Sequence, residues 1–326
     1  MHARASVHND PLFKGMYQWA VKDSEGKLAG KCIVCHSPLS IYFNDQDLNA
    51  DFNKEGVTCQ TCHGTREIAG FRSARDLVSD FSTIYSSHPP PDNEAHPVAH
   101  RDFFENGDIC LPCHAEMSNP RQIPVCQTGY EWRQYYQNTQ KSCVDCHMGE
   151  KDEKGNHVFQ GTHRGDLLPG AVDMQCEVER EARELRITLT NIAAGHAIPT
   201  GTPLRMVLLK VAGYDKNGNL IWENWEENPM QEDTSALFMK ILGDAEGNGP
   251  VPPWKATQIL FDRKLLPRQP LQIIYEFTDP RIQQFRASLL YRFAPLPILR
   301  RLGITDPHFT EAKLISQKTV KISSGN

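Results

Sequence analysis

Four copies of one five-residue pattern constrain this chain more than anything else in it. They are Cys32-Ile33-Val34-Cys35-His36, Cys59-Gln60-Thr61-Cys62-His63, Cys110-Leu111-Pro112-Cys113-His114 and Cys143-Val144-Asp145-Cys146-His147. In Cys-x-x-Cys-His the spacing lets two thiols add to the vinyl groups on one edge of a porphyrin. The adjacent histidine is then delivered to the iron as proximal ligand. The rival is zinc, since two Cys-x-x-Cys pairs can build a tetrahedral site of four thiolates. Zinc gives no reason for histidine to follow the second cysteine in all four copies. The motifs therefore predict four c-type haems on Cys32, Cys35, Cys59, Cys62, Cys110, Cys113, Cys143 and Cys146, with His36, His63, His114 and His147 as proximal ligands.

The sixth ligand of each iron is not written into the motif. Thirteen histidines in 326 residues leave nine after the proximal four. That surplus favours bis-histidine ligation, which closes both axial positions and lowers the potential relative to His/Met ligation. In order of preference the distal candidates are His196, His163, His8, His100, His96 and His88. His196 lies in Gly195-His196-Ala197-Ile198-Pro199-Thr200-Gly201, a rigid loop after a strand. His163 closes His157-Val158-Phe159-Gln160-Gly161-Thr162-His163, and one of that pair is expected to ligate, with His163 favoured. His2 and His308 read as surface residues, and Met148 as a packing residue.

The motif starts at residues 32, 59, 110 and 143 are irregularly spaced, so the chain is not a simple repeat. Its character changes near residue 168. All eight motif cysteines and eleven of the thirteen histidines precede that point, with only His196 and His308 after it. The expected architecture is a multihaem cytochrome of two parts. Residues 1–167 form an irregular tetrahaem region with short helices, such as Asp10 to Ala20 and Gln127 to Gln137. Its small supply of apolar residues leaves the macrocycles to act as core. The run His88-Pro89-Pro90-Pro91-Asp92 reads as a stiff connector.

Residues 168–326 read as a β-rich, sandwich-like domain that contributes a distal ligand. Leu185, Ile187 and Leu189 alternate with polar residues. The apolar run Leu204 to Tyr214 meets Asn217-Gly218, a type I′ hairpin signal, and then Leu220-Ile221-Trp222. Leu271 to Phe277, and the alternation Phe285, Ala287, Leu289, Tyr291, Phe293, supply further strands.

A formal net charge of −5 argues against nucleic-acid binding by bulk electrostatics. No stretch has the roughly 20 apolar residues of a membrane span. Haem attachment of this kind takes place outside the cytoplasm, so the expectation is an exported protein whose signal peptide has been removed. Cys126 and Cys176 remain. In an oxidising compartment they could form a disulfide, and two buried thiols are the other reading. Asp244, Glu246 and Asn248 resemble a calcium loop only faintly, a plain surface loop being preferred.

Several stretches resemble a known family. They are Gly56-Val57-Thr58-Cys59-Gln60-Thr61-Cys62-His63, Pro124-Val125-Cys126 with Glu131-Trp132, Cys143 to Met148, Gly195 to Gly201, and Tyr291-Arg292-Phe293-Ala294-Pro295. Together they are similar to multihaem cytochromes related to the tetrahaem partners of hydroxylamine oxidoreductase, and in particular to tetrahaem subunits of extracellular cytochrome nanowires. The chain departs from them at Tyr135-Tyr136, where related chains often carry a histidine. The resemblance implies an extracellular or cell-surface filament of identical subunits. In such a homopolymer one subunit donates a distal histidine to its neighbour's haem, and His8 is the first candidate donor. Two other functions stand beside it. One is a soluble periplasmic tetrahaem shuttle carrying electrons to a terminal reductase; under either reading the partners are redox proteins or extracellular acceptors. The other is an enzyme of nitrogen-compound redox chemistry, disfavoured because no Cys-x-x-Cys-Lys occurs.

Overall fold

A computed structural model describes residues 8–45, 47–88, 96–149, 157–165 and 167–322. His2 and most of the proline-rich connector lie outside these residues. The chain divides into two compact units. The first comprises residues 1–164 together with Ile298–Ile304, and the second comprises Gly165–Pro297 and the residues from Thr305 onward. The assignment of 298–304 to the first unit has no counterpart in the sequence pattern.

Short helices dominate the first unit, and all four motifs sit on them. The helices used below are Pro11–Asp23 (α1), Ala29–His36 (α2), Cys59–His63 (α3), Leu111–His114 (α4), Thr128–Thr139 (α5) and Cys143–His147 (α6). The residues between the cysteines help to start these helices. Asp145 accepts from the Ser142 N–H at 2.7 Å, Thr61 accepts from the Thr58 N–H at 3.3 Å, and Pro112 occupies the first turn of α4. Helix α1 begins at Pro11, with Asp10 accepting from the Phe13 N–H at 2.8 Å.

The polypeptide core of this unit is thin. Among the described residues, the twelve largest fully buried side chains include only Ile33 and Leu111 from it. A small cluster of Leu111, Ala115 and Trp132, backed by Phe71, Tyr136 and Cys143, joins α4 to α5. The approach is close enough to require glycine at position 129. A Cβ there would lie 2.6 Å from Ala115 Cα and 2.8 Å from Leu111 Cδ2. Gly129→Ala is expected to destabilise the protein by about 1–3 kcal/mol through overpacking, despite alanine's better helix propensity. A denaturant midpoint that stays put or rises would refute this.

In the second unit the strands are Val172–Glu179 (β1), Glu184–Asn191 (β2), Met206–Tyr214 (β3), Leu220–Glu223 (β4), Leu237–Gly243 (β5), Gln258–Arg263 (β6), Pro270–Glu276 (β7), Gln284–Arg292 (β8) and Lys313–Lys321 (β9). They form an antiparallel sheet in the order β6-β5-β3-β8-β9, with β4 also paired to β3, and a second antiparallel sheet in the order β7-β2-β1. Strand β2 alternates as expected, with Leu185, Ile187 and Leu189 fully buried. Strand β3 reads as a continuous apolar run because both its faces are covered. Leu209 and Val211 are fully buried opposite Leu289 and Ala287 of β8. On the other face Met206 and Leu208 pack with Leu237, Met239 and Ile241. Aromatic rings tie the two sheets together, Trp222 meeting Tyr275 edge-on at 5.7 Å and Phe285 at 6.2 Å.

The hairpin at Asn217-Gly218 forms, but not as type I′. Only Gly218 has a positive φ, at 85°. The Asp215 carboxylate accepts from the N–H groups of both Asn217 and Asn219 at 2.8 Å, and the Gly218 N–H bonds to the Asp215 carbonyl. The result is a turn closed by one left-handed glycine. A similar side-chain capture explains the Asp244 loop. Asp244 accepts from the N–H groups of Glu246 and Asn248 and from the Asn248 side chain, so these residues brace a surface turn. Cys126 is a buried free thiol in the first unit, 3.5 Å from Thr128 Oγ1, and Cys176 is a free thiol on β1. No helix among the described residues is long and apolar enough to cross a membrane.

Candidate functional site

Helical geometry explains why the motif residues act together. Positions i, i+3 and i+4 share one helix face. Cys59, Cys62 and His63 on α3 therefore point the same way, as do Cys143, Cys146 and His147 on α6. Motif one occupies the C-terminal part of α2, and motif three runs through a 3₁₀ turn into α4.

His63 and His147 each have one ring nitrogen committed to the backbone. His63 Nδ1 is 2.7 Å from the Tyr85 carbonyl oxygen, and His147 Nδ1 is 2.8 Å from that of Gln160. A carbonyl can only accept, so Nδ1 carries the proton and Nε2 is the nitrogen whose lone pair could ligate a metal. This fixes both tautomer and ring orientation, as second partners of ligating histidines do. His36 is held differently, its ring stacked on Phe13 at 3.6 Å and 6°. His114 lies exposed at the end of α4.

The third motif lies beside two others. Cys113 is close enough to Cys35, and Cys110 to Cys143, for the thiols of each pair to perturb one another. Gly107, just before Cys110, lies so near α6 that a Cβ on it would sit 3.3 Å from Cys143 Sγ. Helices α2 and α4 also both pack on the segment Ala74–Asp76. As free thiols these groups are polarised. The neighbouring Cys113 lowers Cys35 to about 7, while Cys113 is raised by Cys35 and by burial. Burial, and then the neighbouring Cys59, push Cys62 up to about 11. Thioether formation would remove these titrations. Among the described residues no group of three or more His, Cys, Asp or Glu side chains is arranged to hold a metal ion. Thiols on one helix face, an adjacent imidazole and little apolar side chain at the centre fit a covalent macrocycle.

The distal candidates fall in different settings. His196 is in the second unit, its Nδ1 3.0 Å from the Ala197 carbonyl, the arrangement seen at His63 and His147. Its own carbonyl accepts from the side chain of fully buried Asn191 at 2.9 Å, which steadies the loop. His163 is largely buried, with Nε2 3.6 Å from Asp10 Oδ2. His8, His96 and His88 are exposed. His100 is also exposed, with Nδ1 3.3 Å from Asp102 and Nε2 3.4 Å from Glu105, so both its nitrogens face carboxylates. His157, ranked behind His163 from sequence, lies beside His63 with ring centroids 5.9 Å apart. His308 is half-buried and stacked on Phe293 at 5.2 Å, more enclosed than a surface reading implies.

No family model matches the sequence, and no curated protein does. Among solved structures the chain is similar to the crystal structure of a penta-heme cytochrome c552 from Thermochromatium tepidum. The two are 24% identical, the match covers 99% of this chain and 94% of that one, and the TM-score is 0.86. The likeness extends over both units and shows that the chain has a multihaem cytochrome fold.

Proposed function

We propose that this protein transfers electrons through four c-type haems, attached at the four Cys-x-x-Cys-His motifs. The observation that carries the reading is the repeated placement of two thiols and an imidazole together on a helix, with His63 and His147 already oriented through Nδ1. When bound, each haem supplies an iron that changes oxidation state by one electron. The chain's own residues attach and orient. The thiols would hold the haem, and the carbonyls of Tyr85 and Gln160 fix the imidazoles that would bind its iron. Further histidines as second ligands would leave no place for a substrate, which favours electron transfer. The test is a haem-to-protein ratio on material made in a host that attaches haem c. Four covalent haems per chain with low-spin irons are expected. A stable five-coordinate iron that binds nitrite or hydroxylamine would support an enzyme instead.

The family resemblance carries the reading further, to a repeating subunit of an extracellular filament. A head-to-tail contact that does not close into a ring propagates as a helix. A histidine donated to the neighbour's haem would fix spacing and haem contact together. His8, exposed near the start of the described chain, is suited to that role. Negative-stain microscopy of the native extracellular fraction tests it. Unbranched filaments of uniform width containing this chain support the filament. Dispersed particles with every iron six-coordinate favour a soluble periplasmic shuttle.

A further inference from the structure

Among the histidine pairs in the first unit, His63 and His157 stand out. They are far apart in sequence, yet their ring centroids are 5.9 Å apart and their planes are inclined by 47°. Two imidazoles that share an iron must leave room between their facing nitrogens for two bonds of about 2 Å each. Face-to-face rings in full overlap are closer, as His36 and Phe13 are at 3.6 Å; Phe104 also lies beside His63, at 5.4 Å.

His157 is also delivered by a fixed piece of backbone. The Gln160 N–H bonds to the His147 carbonyl at 2.7 Å, and His147 Nδ1 bonds back to the Gln160 carbonyl at 2.8 Å. Between them and His157, Phe159 adopts a left-handed conformation with φ of 48°, unusual for a bulky residue. Its ring meets His157 edge-on at 6.3 Å. The segment after the fourth motif is thus pinned to that motif's own histidine, and its other end reaches the histidine of the second. His163, the other member of the pair, has its Nε2 turned to Asp10, the residue that caps α1.

We propose that His157 is the sixth ligand of the haem carried by Cys59 and Cys62, standing across the iron from His63. This rests on the haem-binding reading above. The fourth motif would then do two jobs, holding its own haem and positioning a ligand for another.

The holoprotein carrying His157→Ala tests the assignment. It should keep four covalent haems per chain, and one of them should change from low-spin to high-spin. On reduction it should bind one more carbon monoxide per chain than the parent. Added imidazole should restore the low-spin spectrum, which a purely structural defect would not allow. In a Cys59→Ala/Cys62→Ala background, which lacks the second haem, His157→Ala should open no further carbon monoxide site. If His157→Ala does not accumulate, His157→Met replaces it. A sulfur–iron charge-transfer band and a more positive potential at one haem are then expected. Four haems with an unchanged spin state in His157→Ala, or the new site appearing in His163→Ala instead, would overturn the ligand while leaving the electron-transfer reading intact. A chain with no covalent haem would overturn both.

Discussion

Replacing both Cys110 and Cys113 by alanine is expected to remove more than one haem and to unfold much of the first unit. The third motif lies where the others meet. Cys113 neighbours Cys35 and Cys110 neighbours Cys143, and Cys62 lies close enough to help raise both Cys110 and Cys113. Helix α4 carries Leu111, one of the few fully buried large side chains of that unit, and packs on Trp132 of α5. A macrocycle missing here would remove core from α2, α5 and α6 at once, and an unfilled core is costly in proportion to the volume lost. The same pair of changes at Cys59 and Cys62 should remove one haem and spare the rest. Helix α3 packs on the strands Thr65–Ile68 and Ile84–Ser86, and Cys59 is exposed. Haem-to-protein ratios and thermal melts of the two variants decide the matter. A third-motif variant with three haems and an unchanged melt would refute the central role.

The second large effect is expected in the β unit. Phe285→Ala should destabilise it by about 3–5 kcal/mol. Phe285 is 1% exposed, with Phe277 at 5.1 Å and Trp222 at 6.2 Å between ring centroids. Its partner across β3 and β8 is Gly213, which leaves space for the ring. A Cβ on Gly213 would sit 3.1 Å from Phe285 Cε1. The haem ratio should stay at four, because every motif residue lies in the first unit. Guanidinium unfolding followed by far-ultraviolet circular dichroism gives the number, and a loss below about 1 kcal/mol would mean that the sheets repack freely.

What can be read from sequence depends on whether the chemistry is local. Covalent attachment demands thiol, thiol and imidazole at i, i+3 and i+4, so the motifs are legible by eye. Strand β2 is legible because one face is buried and the other is not. Distal ligation is a meeting of distant segments, and nothing in His157-Val158-Phe159-Gln160 says that it will reach His63. The spacing narrows the choice to His157 or His163. What separates them is the pinning of Gln160 to His147 and the approach of His163 to Asp10. The turn at Asn217-Gly218 departs from type I′ because the Asp215 side chain takes N–H groups that such a turn leaves alone. The helix Leu296–Arg301 (α7) shows the same limit. Its apolar residues announce burial without naming the surface they bury against.

That last segment has a consequence for how the protein is made. Leu299 is 1% exposed, Arg301 lies over the Trp19 ring at 4.0 Å, and Leu302 closes on Gly15 of α1. In a chain made and exported from its N-terminal end, these residues arrive only after β1 to β8. Until they emerge, α1 has α2 beside it but lacks this later neighbour. The four Cys-x-x-Cys-His segments, which all precede the delay, therefore have an interval in which enzymes that join haem to thiols can reach them. Late arrival of 298–304 acts as a clasp fastened after the cargo is aboard.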